Sequence, residues 1–316
     1  MKYIINERQY KLIKENLDDV LDLYSKKGRG ETLKPSEMDV LRAFDKHQKK
    51  GGHPEDFVFN QDDLYTTATT SAYGLTTFLD NHDMGRIGMF LQGNTEATPA
   101  QLVERANLAN ALLFLLRGGP TVYYGDEKGM TGTGGDKAAR QDMFPTQVID
   151  WQKEIRIGGE PIGTKSAFEV TNPIEKVLAQ LQELTKKYPA LRSGTQQLRY
   201  ANDGSFAVSR FGNKQEFLVA FNGRDSDAKL NLNVSTLESK WSVISGISKD
   251  ITSNGKLISF TLPARSWVVL KADNAFTPTS KLAITLNKPR FGRVTSRVIL
   301  LPFCKWVGSL GSDPQA

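Results

Sequence analysis

The sequence of 316 residues has a single cysteine, Cys304, so neither an intramolecular disulfide nor a multi-cysteine metal site can form. Long apolar runs are missing too. None approaches the ~20 residues that a spanning helix needs, and no membrane partner is expected. The opening stretch, MKYIINERQYKLIKENL, is charged within its apolar part and has no small-residue cleavage site, so it does not read as a signal peptide. Composition sets no compartment. A basic stripe interleaved with aromatics is also lacking. The formal net charge is +6, but residues 277–316 hold Lys281, Lys288, Arg290, Arg293, Arg297 and Lys305 against the single acid Asp313. The rest of the chain is close to neutral, and no nucleic-acid partner is expected.

What is present is the make-up of a water-soluble globular protein, 39% hydrophobic and 24% charged, long enough for two ordinary domains. Four stretches differ in their patterning. Over residues 1–58, Tyr10, Ile13, Leu17, Val20 and Tyr24 make one apolar stripe at helical spacing. A second helix is expected from Pro35 and Ser36, with Met38, Leu41 and Phe44 inward, ending at Gly51-Gly52.

Residues 59–193 alternate strand and helix. A β-rich segment, Leu75 to Leu79, runs into Asn81-His82-Asp83. Thr98 and Gln101 then fit a capping box with Pro99 at the first helical position, and Leu102, Ala106, Ala109, Leu113 and Leu116 form the inner stripe. Gly118-Gly119-Pro120 is expected to end that helix, ahead of a short strand from Thr121 to Tyr124 and a glycine-rich loop through Gly135. A further helix starts at Asn172, Pro173 and Glu175, buries Ile174, Leu178, Leu181 and Leu184, and stops before Pro189. Polar clusters that follow strands in such an order lie where α/β barrels place their active sites.

Residues 194–273 switch to short alternating runs: Phe206–Phe211, Glu216–Asn222, Ala228–Val234, Trp241–Ser245, Leu257–Leu262 and Ser266–Lys271. Turn signals at Gly212-Asn213 and Asn254-Gly255 separate some of them, which argues for an antiparallel sandwich. Residues 274–316 hold strand-like stretches at Lys281–Asn287 and Val294–Leu301, the expected start of a further β module.

An isolated Asn-His-Asp after a strand is more often a turn than a site. Here it stands within DDLYTTATTSAYGLTTFLDNHDMGRIGMFL, followed by LLFLLRGGPTVYYGDEKGM and by Asp136-x-x-x-Arg140. These segments, in this order and spacing, resemble the α-amylase family, glycoside hydrolase family 13. The resemblance covers roughly residues 60–272. It implies an α/β region followed by an all-β one: an incomplete (β/α)8-barrel segment (strands 7–8 and their helices), an antiparallel β-sandwich and a helical N-terminal extension. It also implies that Asp83 stabilises a transition state, that His82 hydrogen-bonds the same sugar ring, and that Asp136 and Arg140 hold neighbouring glucose units. Tyr123 to Glu127 match a stretch with a scaffold role. The adjacent Asp126-Glu127 is therefore not expected to be an acid/base pair, and adjacent side chains on an extended strand point apart in any case.

The chemistry agrees with those roles. Breaking a glycosidic bond develops positive charge on the ring, which a nearby carboxylate stabilises. A retaining hydrolase also needs a nucleophile and an acid/base, two carboxylates about 5 Å apart. Upstream of Asn60, only Leu41-Arg42-Ala43-Phe44-Asp45-Lys46-His47 echoes the family's nucleophile region, and it does so with the wrong spacing and within a helical pattern. No cofactor and no metal is expected. The expected partner is an α-glucan such as starch or a maltooligosaccharide, with self-association through barrel-strand edges that nothing else covers. Three readings follow: a hydrolase needing carboxylates from elsewhere, a glucan-binding protein without turnover, and a helical interaction protein fused to a hydrolase remnant.

Overall fold

The computed structural model describes residues 71–276, apart from positions 94, 95, 133, 136, 203 and 238, together with Thr32 and Met38. The chain divides into two compact units, Met1–Leu64 and Tyr65–Ala316, and every element named below belongs to the second. The first helix expected in residues 1–58 and the strands expected in 277–316 lie outside the described residues. Of the second expected helix, Met38 alone is described; it is helical and half-buried.

Strand β1 (Thr76–Thr77) pairs in parallel with β2 (Gly119–Pro120), and Gly119 N and Thr121 N donate to Leu75 O and Thr77 O. Two parallel strands need a crossover between them. Helices α1 (Ile87–Gln92) and α2 (Pro99–Leu115) supply it. The capping box at Thr98 forms as expected: Gln101 N donates to Thr98 Oγ1 at 3.3 Å, and Thr98 N to Gln101 Oε1 at 2.8 Å. The single inner stripe does not hold. From Arg105 onward α2 is buried on nearly all sides, with Leu108, Leu112 and Leu115 inside as well. Each fully buried leucine contributes roughly 1.5–3 kcal/mol relative to exposure. The physical reason is the company the helix keeps, since it packs both on a later helix and on the β-sheet below.

The strand expected at Thr121–Tyr124 is displaced, because β2 is formed by the Gly119-Pro120 pair read as a helix stop. The chain then passes through α3 (Ile149–Gln152), α4 (Pro173–Lys187) and α5 (Pro189–Ser193). Helix α4 starts, caps and buries Ile174, Leu178, Leu181 and Leu184 as its pattern predicts.

Eight antiparallel strands follow: β3 (Thr195–Asn202), β4 (Ser205–Gly212), β5 (Gln215–Asn222), β6 (Ala228–Asn233), β7 (Trp241–Gly246), β8 (Lys249–Asn254), β9 (Leu257–Leu262) and β10 (Ser266–Ala272). They make a five-stranded sheet ordered β3-β4-β5-β10-β7 and a three-stranded sheet ordered β6-β9-β8. Between the sheets lie Leu218, Ala220, Leu230, Leu232, Ile258, Phe260, Val268 and Leu270. The intervening Phe217, Val219 and Phe221 are buried too. Helices α2 and α5 cover that side, with the Tyr188 and Phe217 rings 5.4 Å apart. Strands β4 and β5 are therefore buried at nearly every position rather than at alternate ones. The result is three layers: helices, a five-stranded sheet and a three-stranded sheet.

Candidate functional site

The loop from Asn81 to Arg86 joins β1 to α1. Asp80 closes its base: the side chain is buried, and Oδ2 accepts a hydrogen bond from Ile87 N at 2.6 Å. Within the loop, Asp83 N donates to Asn81 Oδ1 at 2.7 Å. His82 and Asp83 both face solvent, with side chains 62% and 68% exposed, and His82 Nε2 lies 3.3 Å from Asp83 Oδ1. Arg140, from the loop after β2, joins them. Its Nε donates to His82 O at 3.0 Å, and its Nη2 sits 3.7 Å from Asp83 Oδ1. Three of the four residues expected at the site are thus brought together across 58 positions of sequence. The fourth, Asp136, lies outside the described residues.

Beneath this exposed group is a buried polar frame that the sequence did not reveal. Arg86 is fully buried. Its Nε donates to Gln141 Oε1 at 2.7 Å, and its Nη1 donates to Tyr124 O at 2.7 Å and Asp126 Oδ1 at 2.8 Å. Among the described residues Nη2 has no hydrogen-bond acceptor. Instead the guanidinium carbon lies 4.5 Å from the Tyr123 ring centre and 5.2 Å from that of Tyr124, where the aromatic faces attract the cation. Gly125 makes room for it: its φ is +90°, and a Cβ there would come within 3.1 Å of Arg86 Nη2 and 2.5 Å of Met130 Sδ.

Asp80 and Asp126 meet beside that guanidinium. Burial raises the pKa of both above the usual carboxylate value, and for Asp126 the neighbouring Asp80 pushes further in the same direction. The two carboxyls lie within hydrogen-bonding reach of each other, and among the described residues Asp80 Oδ1 has no donor. Glu127 accepts from Gly125 N at 2.8 Å, so neither member of the Asp126-Glu127 pair presents itself as a free acid/base.

The frame continues outward. Gln141 Nε2 donates to both oxygens of Glu154, at 2.7 and 2.8 Å, and Glu154 accepts from Gly132 N at 2.7 Å and Thr131 N at 3.3 Å. Lys128 reaches Val170 O at 2.9 Å and pairs with Glu175 at the start of α4. Asn172 Nδ2 donates to Lys128 O and Ile157 O at 2.9 and 2.8 Å. Among the described residues no three His, Cys, Asp or Glu side chains cluster closely enough to hold a metal ion. What the arrangement offers is an open carboxylate, an imidazole and a guanidinium set to hydrogen-bond vicinal hydroxyls.

A model of the α-amylase catalytic domain matches residues 13–194. An α-amylase of Streptomyces lividans is 38% identical over 261 residues, covering 80% of this chain and 28% of that protein. A cyclomaltodextrin glucanotransferase of Niallia circulans is 31% identical over 210 residues, covering 64% of this chain and 24% of that protein. Among solved structures, the α-amylase of Geobacillus thermoleovorans complexed with acarbose is similar at a TM-score of 0.49 and 23% identity, covering 64% of this chain and 39% of that one. The chain spans less than a third of the length of either curated relative.

Proposed function

The chain belongs to the α-amylase family, and on that premise we propose that it carries the sugar-gripping side of a retaining α-1,4-glucan hydrolase site. Asp83 stabilises the positive charge that develops on the ring as the glycosidic bond breaks. His82 hydrogen-bonds the same ring, and Asp136 and Arg140 hold glucose units on the non-reducing side of the scissile bond. Within this reading residues 59–193 are barrel strands 7 and 8 with their helices, and residues 194–273 are the β-sandwich that follows. Residues 1–58 are read as helical, with residues 13–58 inside the match to the catalytic-domain model, and residues 274–316 begin a further β module.

One observation carries the proposal: His82, Asp83 and Arg140 gather, exposed, at the end of a parallel strand over a buried frame. On this reading neither the nucleophile nor the acid/base is among these residues, since Leu41–His47, the one stretch that echoes the nucleophile region, has the wrong spacing. Turnover then requires those two carboxylates from outside these residues. The relatives' names point to starch or maltooligosaccharides as the ligand class.

Calorimetric titration with maltoheptaose tests the reading. Binding is expected, and Asp83→Asn is expected to weaken it about tenfold through loss of a charge-assisted hydrogen bond. A starch hydrolysis assay on the same samples separates the alternatives. Glucose or maltooligosaccharide release that vanishes in Asp83→Asn would mean that the chain has its own catalytic carboxylates. Affinity without release supports a binding half-site, and no affinity at all sinks the glucan reading.

A further inference from the structure

We infer that Gln141 is a positioning residue, whose buried amide, locked to Arg86 on one side and Glu154 on the other, holds Arg140 against the loop carrying His82 and Asp83. What the held residues do rests on the glucan reading above; the clamp itself does not.

The argument is a closed circuit. Arg86 ends the loop and points inward, where its Nε meets Gln141 Oε1 at 2.7 Å. Gln141 is the chain neighbour of Arg140, and Arg140 Nε returns to His82 O at 3.0 Å in the middle of the same loop. The path from His82 to Arg86 therefore comes back through Gln141 and Arg140 to His82. Its outer contacts, between Arg140 and the loop, are exposed, and surface pairs hold geometry weakly. Its inner contacts are 0% exposed at Arg86 and 2% at Gln141, where lost hydrogen bonds are costly.

The residue type matters. One side of position 141 faces a guanidinium and needs an acceptor; the other faces the Glu154 carboxylate and needs donors. An amide of this length supplies both at once. A glutamate would set a second carboxylate beside Glu154, and a methionine would fill the volume while offering neither group. Glu154 in turn is anchored on the backbone amides of Thr131 and Gly132, so the clamp ends on main chain rather than on another mobile side chain. Gln141 reaches the sugar-facing group by two routes, through its chain neighbour Arg140 and through Arg86 at the end of the loop.

Hydrogen exchange on the full chain tests this without any ligand. In Gln141→Met, amides over residues 80–87 are expected to exchange about tenfold faster, while those of the β-sandwich keep their rates. Unchanged exchange over 80–87 overturns the inference. Should Gln141→Met not fold, Glu154→Gln keeps an acceptor for Gln141 and is milder; an increase of about threefold over 80–87 is then expected, and none would again overturn it. A second arm uses maltoheptaose affinity in a double-mutant cycle. Gln141→Met is expected to weaken binding several-fold in the parent and clearly less in an Arg140→Ala background. Equal weakening in both backgrounds would mean a general structural role and reject positioning. If the parent itself does not bind maltoheptaose, the glucan reading falls, and the exchange result still decides the clamp.

Discussion

Asp80, Asp126 and Arg86 bring two acids and one guanidinium into a region with almost no access to water, and burial raises the pKa of both acids. Both native pKa values are raised, so the sign of the pH dependence is fixed. Near and below the ordinary value of 3.8, both native and unfolded chains hold these protons, and the full contribution is present. As pH rises above about 4, the unfolded chain releases its protons first, and this contribution to stability declines until the raised native value is passed. Asp126→Asn mimics the protonated acid, with an amide that can donate to Asp80 and a carbonyl that can accept from Arg86. Thermal unfolding measured from about pH 4 toward neutrality is expected to show the parent losing ground to Asp126→Asn. A gap that stays constant with pH would rule out the raised values. At this scale the sequence was legible where residues stand together or match known spacing, as with His82, Asp83 and Arg140. Arg86 and Gln141 were not, because they are 55 positions apart and each is an unremarkable polar residue in its own neighbourhood. The one local signal was a lone arginine abutting the apolar run Ile87–Leu91.

The two capped helices differ in what their caps touch. Thr98 is exposed and satisfies only the first turn of α2, so Thr98→Ala should cost about 1 kcal/mol. Asn172 caps α4 from inside the protein, where its Nδ2 also satisfies the carbonyls of Lys128 and Ile157. Asn172→Ala strips the cap and takes the side-chain donor from Ile157 O, while Lys128 O keeps Arg156 Nη1 at 2.8 Å; the expected loss is about 2 kcal/mol. Urea unfolding of both variants checks the contrast, which disappears if capping alone governs both sites. Helices with such signatures were readable in advance, and so were six of the eight antiparallel strands. The two missed ones are edge strands with little apolar content. β3 reads TQQLRYAN, and β8 reads KDITSN and is exposed at nearly every position. An edge strand needs only one neighbour and gains from polar residues that discourage further pairing, so alternation is not demanded of it. The displaced β2 has a different cause. Tyr124 looks like a strand residue, but its carbonyl is taken by Arg86, and the left-handed Gly125 turns the chain directly after it.

The helical layer and the five-stranded sheet are joined by arginines, two of them buried, as well as by apolar packing. Arg105 reaches Asp225 at 2.8 Å, and Arg265 bridges Asp225 and Glu104. Arg210, fully buried in β4, donates to Leu115 O at 2.8 Å, at the end of α2, and to Gly194 O at 3.2 Å. Arg210→Met should cost about 3 kcal/mol by leaving both carbonyls without a donor. Followed by tryptophan fluorescence and by far-ultraviolet circular dichroism, the urea midpoint is expected to fall equally by both probes. Separated midpoints would mean that helices and sheets unfold independently. This layering was beyond the sequence, since strands buried on both faces and a helix buried all round lose the periodicity that reveals them. The placement of His82 and Asp83 has its own consequence. On the proposed reading, the side chains offered to a ligand stand in solvent, while those that fix their geometry lie buried below them. Descendants of such a chain can exchange one sugar-facing side chain for another with little penalty in folding, and so explore new substrates. A change to the frame is exposed to selection at once.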